Sequence, residues 1–486
     1  MKVFAGYAKM DYYLVCHTDI ANWYANRYRE ILESGECTIS YTPNYRLDKQ
    51  VIGGGHHSHP VKGFFVGTKI YELDVKGQYP SIAINNNFSF DTLNCTCCKY
   101  NESVGVRQET IDAINEYLQE INIDRRVDRY WVCRRRKGAY PRVLEQILQD
   151  RDEHLILKKK EEHKANPDPT LIEEYQTQQI GAKLFANAGY GLFANEYFEF
   201  ANYQVAECIT AEGRRIHKQM ELMAQSKPYN FEVVFGFTDS TFFKDTAGLA
   251  KDHAVVAGLK KVDDFIQDCK TKLGVTVELK TVFTNSIFYG KKNRFVAWTG
   301  NDNDEPVIKG LDGLKNPYPL WVRKWFERIV VELVRHPETR YEVIPRLIKE
   351  AFDALDVITS QIDPERECTL LKFSQRLNKY RHEYNEHTRQ RRLAQLLDKD
   401  KGDLVHWYET HEDVYVESKR CRKGGKTYSV KPENLNLYGY KKLLLRKLKD
   451  SLEITGFNTA ALEQELLEPN TNNDMAMFLP GVELQK

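Results

Sequence analysis

Asp74 and Asp239 each close a short apolar run, residues 70 to 73 before the first and Glu232-Val233-Val234-Phe235-Gly236-Phe237 before the second. Each carboxylate is therefore expected at the end or tip of a core strand, where it can emerge from a rigid sheet into a cleft without being buried unpaired. Two acids presented in this way can share divalent cations, and their hard oxygen donors suit Mg²⁺ or Mn²⁺. Ions about 3.5 to 4 Å apart activate a hydroxyl and neutralise the charge that develops on a phosphate, so the chemistry indicated is phosphoryl transfer. An Asp at a strand end is more often a turn or cap residue, so the pair needs its neighbours to carry the reading.

Lys183, Asn187 and Gly191 recur at four-residue spacing with Tyr190 beside them. A helix presents such residues along one face, where an ammonium suits a triphosphate and an aromatic ring with a small Gly suits a base pair. An ordinary amphipathic helix with Tyr190 in the core satisfies the same spacing.

The elements that must position these residues are legible as patterns. The run from Ile70 into Asp74 reads as a strand, with the glycines Gly53, Gly54 and Gly55 upstream as a turn or linker. Residues 140 to 163 and 171 to 187 read as two helices separated by Pro167 and Pro169, an antiparallel pair joined by a short polar turn. Residues 232 to 237 and 241 to 243 read as a hairpin with Asp239 at its tip. Beyond about Pro317 the chain turns helical and rich in Lys and Arg. At 486 residues, 42% hydrophobic and 29% charged, the chain has ample material for a core and for two to four structural units. The 70 Lys and Arg nearly cancel the 69 Asp and Glu, so any nucleic-acid surface must be local. No run approaches the roughly 18 to 20 apolar residues of a membrane span, and the first residues lack a signal-peptide core, so a soluble, cytoplasmic protein without membrane contact is expected.

The residues from Asp74 to Ile82, DVKGQYPSI, resemble the family B DNA polymerase motif D-x-x-S-L-Y-P-S-I. Residues 183 to 191, KLFANAGYG, resemble K-x-x-x-N-S-x-Y-G, and FGFTDS from Phe235 resembles Y-G-D-T-D-S. Three motifs in the right order are highly specific. Gly53 to Gly55 with Pro60 and Gly63 resemble the glycine-rich segment that joins exonuclease to polymerase, Lys292-Asn293-Arg294-Phe295 resembles the duplex-contacting K-K-R-Y element, and Lys309-Gly310 resembles the K-G element after it. The stretch from His387 to Tyr408 resembles the archaeal-type thumb, so the likeness runs from about residue 12 to 450.

The resemblance implies an α+β right hand with an antiparallel-sheet palm, two-helix fingers and a mostly helical thumb. Its divisions would be 1–67 as a linker into the palm, 68–98 as palm, 99–194 as fingers, 195–316 as palm, 317–460 as thumb and 461–486 as tail. It implies DNA-directed DNA synthesis with two Mg²⁺ or Mn²⁺ ions held by Asp74, Asp239 and the Val75 carbonyl. Arg151 and Lys183 would hold the incoming triphosphate, and the backbone from Gly77 through Gln78 to Tyr79 would cradle phosphate oxygens. Tyr79 would exclude a 2′-hydroxyl, and Asn187 and Tyr190 would border the nascent base pair. Lys292, Arg294, Lys309 and Gly310, with Arg389, Arg391 and Arg392 in the thumb, would contact DNA. Phe237 stands where the family has the first acid of D-T-D, Ala188 replaces Ser, and Leu155 stands where a second basic finger residue is common, with Lys158 one turn on. A catalytically impaired DNA-binding or scaffolding subunit is thus the alternative reading, and an RNA-copying palm is disfavoured by Tyr79.

Primer–template DNA and dNTPs are the implied partners. About 50 residues precede the glycine-rich segment, so no exonuclease is expected here: a separate subunit of a split polymerase carries it, the favoured reading, or the protein copies DNA without proofreading. Asn472, Met475, Phe478 and Leu479 have the spacing of a sliding-clamp peptide without its usual Gln and paired aromatics, and a loose tail is preferred. Ten cysteines are too few for a disulfide scaffold. Cys95, Cys97, Cys98 and the distant Cys133 could close around Zn²⁺, but C-x-C-C is unlike the usual C-x₂₋₄-C pairs. A disulfide is the second reading, and plain thiols are the default. His56, His57 and His59 read as solvated loop residues, and the basic run at 419–426 as a phosphate-tracking or solvated face.

Overall fold

The computed structural model describes residues 17–34, 54–58, 60–98, 104–245, 253–361, 370–386, 388–411 and 435–467. Gly53, His59, His387, the basic run at 419–426 and the tail from 468 lie outside them. In chain order the first elements are α1 (His17–Glu33), β1 (His56–His57), β2 (Lys62–Phe65), β3 (Ile70–Val75), α2 (Gln78–Asn86), β4 (Val104–Gly105) and α3 (Gln108–Glu120). There follow β5 (Trp131–Val132), α4 (Ala139–Glu162), α5 (Pro169–Leu192), α6 (Tyr203–Gln225), β6 (Phe231–Thr238), β7 (Ser240–Asp245), α7 (His253–Asp268) and β8 (Val277–Phe283). The chain continues through β9 (Asn285–Tyr289), β10 (Phe295–Trp298), β11 (Val307–Lys309), α8 (Leu320–Arg335), α9 (Arg340–Ser360) and β12 (Phe373–Arg376). It closes with α10 (Arg389–Leu397), β13 (Leu404–Trp407), α11 (Leu437–Ile454) and α12 (Thr459–Leu467). Packing divides it into one unit of Met1–Ser58 with Tyr71–Lys280 and a second of His59–Ile70 with Thr281–Lys486.

The first unit is organised on a sheet of order β1-β6-β7-β3-β8. Ile70, Leu73 and Val75 of β3 are almost wholly buried, a near-continuous apolar run of the kind expected of a strand covered on both faces. Strands β6 and β7 form the expected hairpin, with a bulge between Val233 and Phe235. Phe237 pairs with Ser240, so only Thr238 and Asp239 make the turn. Thr238 has φ 54°, unusual for a β-branched side chain and therefore a strained position that the surroundings must hold. They do so from the edge: His56 pairs with Thr238 and His57 with Phe237. Helix α6 starts at Asn202, whose side chain accepts from the Val205 N–H, and it buries Val205, Ile209, Ile216 and Met220 at helical spacing.

Helices α4 and α5 are each 24 residues long. Pro169 occupies the first turn of α5 rather than merely ending α4, and Asp168 caps that helix by accepting from the Thr170 and Leu171 N–H groups. Burial along the pair is uneven. In α4 the buried side chains run from Ala139 to Ile147 with Glu161 alone beyond, and in α5 they run from Gln179 to Leu192. The base of the helical pair is thus packed and its distal half is open. At that base Gly189 faces α1 and α4, and a Cβ there would lie 2.7 Å from the Tyr24 hydroxyl and 2.9 Å from the Tyr140 ring. The Tyr24 hydroxyl is itself committed, donating to the Phe185 carbonyl at 2.7 Å.

In the second unit β11-β10-β9-β2 form a four-stranded antiparallel sheet, and Phe373 of β12 stacks on Trp407 of β13 in a separate ribbon. Trp321, Phe326, Ile329 and Leu333 of α8 share one core with Ile348 and Leu355 of α9 and Leu444 and Leu448 of α11. Polar ties are buried with it, including Tyr440 to the Leu371 carbonyl at 2.8 Å and Tyr289 to Ser451 at 2.7 Å. Among the described residues no helix is long and apolar enough to cross a membrane.

The close approach at Gly189 generates a prediction. Gly189→Ala overpacks two buried tyrosines and should destabilise the chain by roughly 1–3 kcal/mol, read as a lower denaturant midpoint at unchanged slope.

Candidate active site

Strand β3 delivers Asp74 beside the hairpin tip that carries Asp239. The two strands are locked there by the Val75 N–H, which donates to the Asp239 carbonyl at 2.8 Å. The Asp74 carboxylate is almost buried and fully engaged: Ser240 Oγ donates to Oδ1 at 2.7 Å, and Lys280 Nζ lies 2.7 Å from Oδ2. Asp239 is more open, yet desolvation by its surroundings and the Asp74 charge push its carboxyl up, while Lys280 and Lys183 pull it down. Two carboxylates forced together in this way form a site whose repulsion a divalent cation would relieve, and their oxygen donors fit Mg²⁺ or Mn²⁺.

A cavity of about 300 Å³ opens beside the pair. It is lined by Gly77, Gln78 and Tyr79 at the start of α2, by Arg151 of α4, and by Lys183, Asn187 and Tyr190 of α5. The four-residue spacing on α5 therefore does put Lys183 and Asn187 on one side, facing the cavity. Gly191 does not line the cavity, and a Cβ there would meet nothing within 4 Å. Tyr79 and Tyr190 pack at 4.4 Å between ring centroids. Burial, then Tyr190 and Asp239, push the Tyr79 phenol up to about 12, so it is neutral at any physiological pH.

Gly77 sits in the left-handed region at φ 52° and caps α2. The first-turn N–H groups of a helix have no partner within it, and here that end borders the cavity. The Gln78 side chain is turned into the core, with Nε2 3.4 Å from the Gly213 carbonyl, which leaves only its backbone for a ligand. Phe237 does not line the cavity; its ring lies 4.9 Å from His57 and 6.2 Å from Phe235. Lys158 does not line it either and pairs with Glu162 at 3.2 Å. Among the charged residues of the lining, Lys280 and Glu278, both on β8, lie outside every motif read from the sequence. Glu278 adds a third carboxylate and stands 3.6 Å from Lys76.

His56 and His57 of the glycine-rich segment are not solvated loop residues but form β1. His56 is half-buried in β1, pairs with Glu221 at 3.0 Å and stacks on the wholly buried His217. Cys95, Cys97, Cys98 and Cys133 are free thiols that bring their sulfurs within 4.8 Å of one another.

Lys292 and Arg294 lie on the turn between β9 and β10, and Lys309 pairs with Phe295 across β10 and β11. Gly310, at φ 65°, lies so close to this turn that a Cβ would fall 2.1 Å from the Asn293 carbonyl oxygen, so the residue can only be Gly. Arg294 reaches Asp312 at 3.2 Å. Arg389, Arg391 and Arg392 open α10, where Arg391 donates to the Tyr384 carbonyl at 3.0 Å.

Residues 31–455 match the family model described as DNA polymerase family B, and the chain belongs to that family. It is 26% identical over 381 residues to DNA polymerase 1 of Aeropyrum pernix, covering 76% of this chain and 35% of that protein. It is 24% identical over 320 residues to the DNA polymerase of Thermococcus gorgonarius, covering 65% of this chain and 36% of that one. The chain thus spans about a third of the length of these curated relatives. The solved family B DNA polymerase from the hyperthermophilic archaeon Pyrobaculum calidifontis superposes with a TM-score of 0.54 at 17% identity, over 88% of this chain and 48% of that one. The fold is accordingly the α+β fold of that structure.

His217 gives the hairpin a pH dependence. Its Nδ1 lies 3.1 Å from Thr241 Oγ1 of β7, and burial, reinforced by His56, lowers its pKa from 6.5 to about 3. The unfolded chain takes up this proton near 6.5 and the folded chain only near 3, so stability falls as pH drops through that window. The contribution lost between about pH 7 and 5 is about 2 kcal/mol, and His217→Gln should flatten that part of the urea-unfolding profile.

Proposed function

We propose that the chain is a DNA-directed DNA polymerase that adds dNMP units to a primer 3′-hydroxyl. One observation carries the reading: the motif residues Asp74, Tyr79, Lys183, Asn187, Tyr190 and Asp239, far apart in sequence, surround a single cleft. In the reaction the primer 3′-oxygen bonds to the α-phosphorus of a dNTP, the α–β bridging bond breaks and pyrophosphate departs. Mg²⁺ or Mn²⁺ held by Asp74, Asp239 and the Val75 carbonyl would lower the pKa of the primer hydroxyl and neutralise the charge building on the phosphates.

The chain's own groups do the rest. Lys183 and Arg151 counter the triphosphate charge from two different helices, and the start of α2 offers backbone N–H groups to its oxygens. The Tyr79 ring, braced by Tyr190, closes the space a 2′-hydroxyl would need. Asn187 and Tyr190 flank the new base pair. Lys292, Arg294, Lys309 and Gly310, with Arg389, Arg391 and Arg392, are proposed to follow the phosphates of the duplex. In this assignment residues 68–98 and 195–316 form the palm, 99–194 the fingers and 317–460 the thumb. The clamp-like peptide at 472–479 lies outside the described residues.

The decisive assay is extension of a labelled primer on a DNA template with dNTPs and Mg²⁺ or Mn²⁺. Wild type should extend, whereas Asp74→Ala and Asp239→Ala should lose at least about a thousandfold in rate while retaining duplex binding. Extension by either variant overturns the assigned roles, and duplex binding without extension by wild type overturns the catalytic reading. Tyr79→Ala should admit ribonucleotides, measured as a smaller ratio of dNTP to rNTP kcat/KM. Proofreading is not proposed for this site, and primer held without dNTPs should keep its length.

A further inference from the structure

Cys95 and Cys133 are 38 positions apart in the chain, yet four thiols meet at one point. Cys97 Sγ lies 3.9 Å from Cys98 Sγ and 3.5 Å from Cys133 Sγ, the Cys98–Cys133 separation is 3.6 Å, and Cys95 completes a group whose sulfurs all lie within 4.8 Å. A zinc ion with four thiolates at about 2.3 Å spaces its sulfurs at about 3.8 Å along each tetrahedral edge. The observed separations match that figure. They are too short for a multi-iron cluster, whose thiolates must spread around several metal atoms. A disulfide would join two sulfurs and strand the third, whereas here three are nearly equidistant.

The backbone is arranged for the same guest. Residues 96–98 form a bend, which lets adjacent Cys97 and Cys98 converge, where an extended strand would send them to opposite faces. Amide N–H groups point at the sulfurs: that of Cys98 at Cys95, that of Arg134 at Cys98, and those of Arg135 and Arg136 at Cys133. Such donors stabilise thiolates rather than thiols.

We propose that Cys95, Cys97, Cys98 and Cys133 bind one structural Zn²⁺ that fastens the chain after α2 to the segment that launches α4. The second contact network at this junction shows what the metal would hold. Trp131 Nε1 donates to the Cys95 carbonyl at 3.1 Å, and Asn87 Nδ2 donates to the Cys133 and Arg136 carbonyls at 3.2 and 3.0 Å. Asn87 Oδ1 accepts from the Gly138 N–H at 2.8 Å, immediately before α4 begins. Arg151 lies twelve residues along that helix, about 18 Å, so the ion sets the root of a substrate-contacting helix and takes no part in the reaction.

The test is metal analysis of the full chain purified without added metal. About one zinc per chain is expected, released by an organomercurial that titrates the thiols, and Co²⁺ substitution of wild type should give the thiolate charge-transfer and visible bands of tetrahedral cobalt. Cys133→Ser and Cys98→Ser should lose the metal, while Cys269→Ala, at a buried cysteine outside the group, should keep it. Wild type that binds neither Zn²⁺ nor Co²⁺, a thiol count short by two from a disulfide, iron in place of zinc, or full zinc content in Cys133→Ser each overturns the proposal. None of these readouts depends on polymerisation, and the cobalt spectrum needs no variant to fold.

Discussion

Two like charges must stand side by side at the junction of β3 and the β6–β7 turn, and much of the first unit is disposed to make that tolerable. Asp74 is satisfied by Ser240 and Lys280, and Asp239 is held by its own backbone through the Val75 N–H. Leaving one carboxylate clamped and its neighbour open is a way to keep both near a common point without burying an unpaired charge. The turn that presents Asp239 adopts a conformation its Thr238 resists, and the edge strand β1 secures it from outside, with His56 tied in turn to Glu221. The hairpin is thus held from both sides, by the Val75 N–H beside the carboxylates and by β1 at the far edge, where the Phe237 and His57 rings pack.

This arrangement gives a physical account of the family motif's altered position. Phe237 occupies a strand residue whose ring joins an aromatic stack with Phe235 and His57, so its substitution for an acid is accommodated as packing. Meanwhile Glu278 contributes a carboxylate to the cavity from β8.

The hairpin, the strand ending at Asp74 and the long helical pair were legible because each is a strong local pattern: alternation, an apolar run and 3.6-residue periodicity. The shared face of Lys183 and Asn187 followed from helix geometry alone. What escaped was non-local or too short. Lys280 sits in VELKTVF, where alternation reads it as a solvent-facing strand residue, and only the neighbouring strand reveals its acid partner. β1 is two residues long and gives no periodicity, so His56 passed for a loop residue. The cysteine group is closed by Cys133, whose place is set by Leu93 bridging to Val132 and by the Cys133 N–H donating to Thr92, contacts that spacing does not encode.

The lining of the cleft includes Asp74, Asp239 and Glu278 but also Lys76, Arg151, Lys183 and Lys280, so cations outnumber carboxylates by four to three. Such a pocket is, before anything binds, a host for anions. A bare divalent ion approaching Asp74 meets an ammonium already seated on the carboxylate, whereas a nucleotide that arrives with its counter-ion brings charge of both signs to a lining that has a partner for each. For the nucleotide proposed as substrate, entry as a preformed metal–nucleotide salt would be the route of least electrostatic resistance, with Lys280 the counter-ion to be exchanged on arrival.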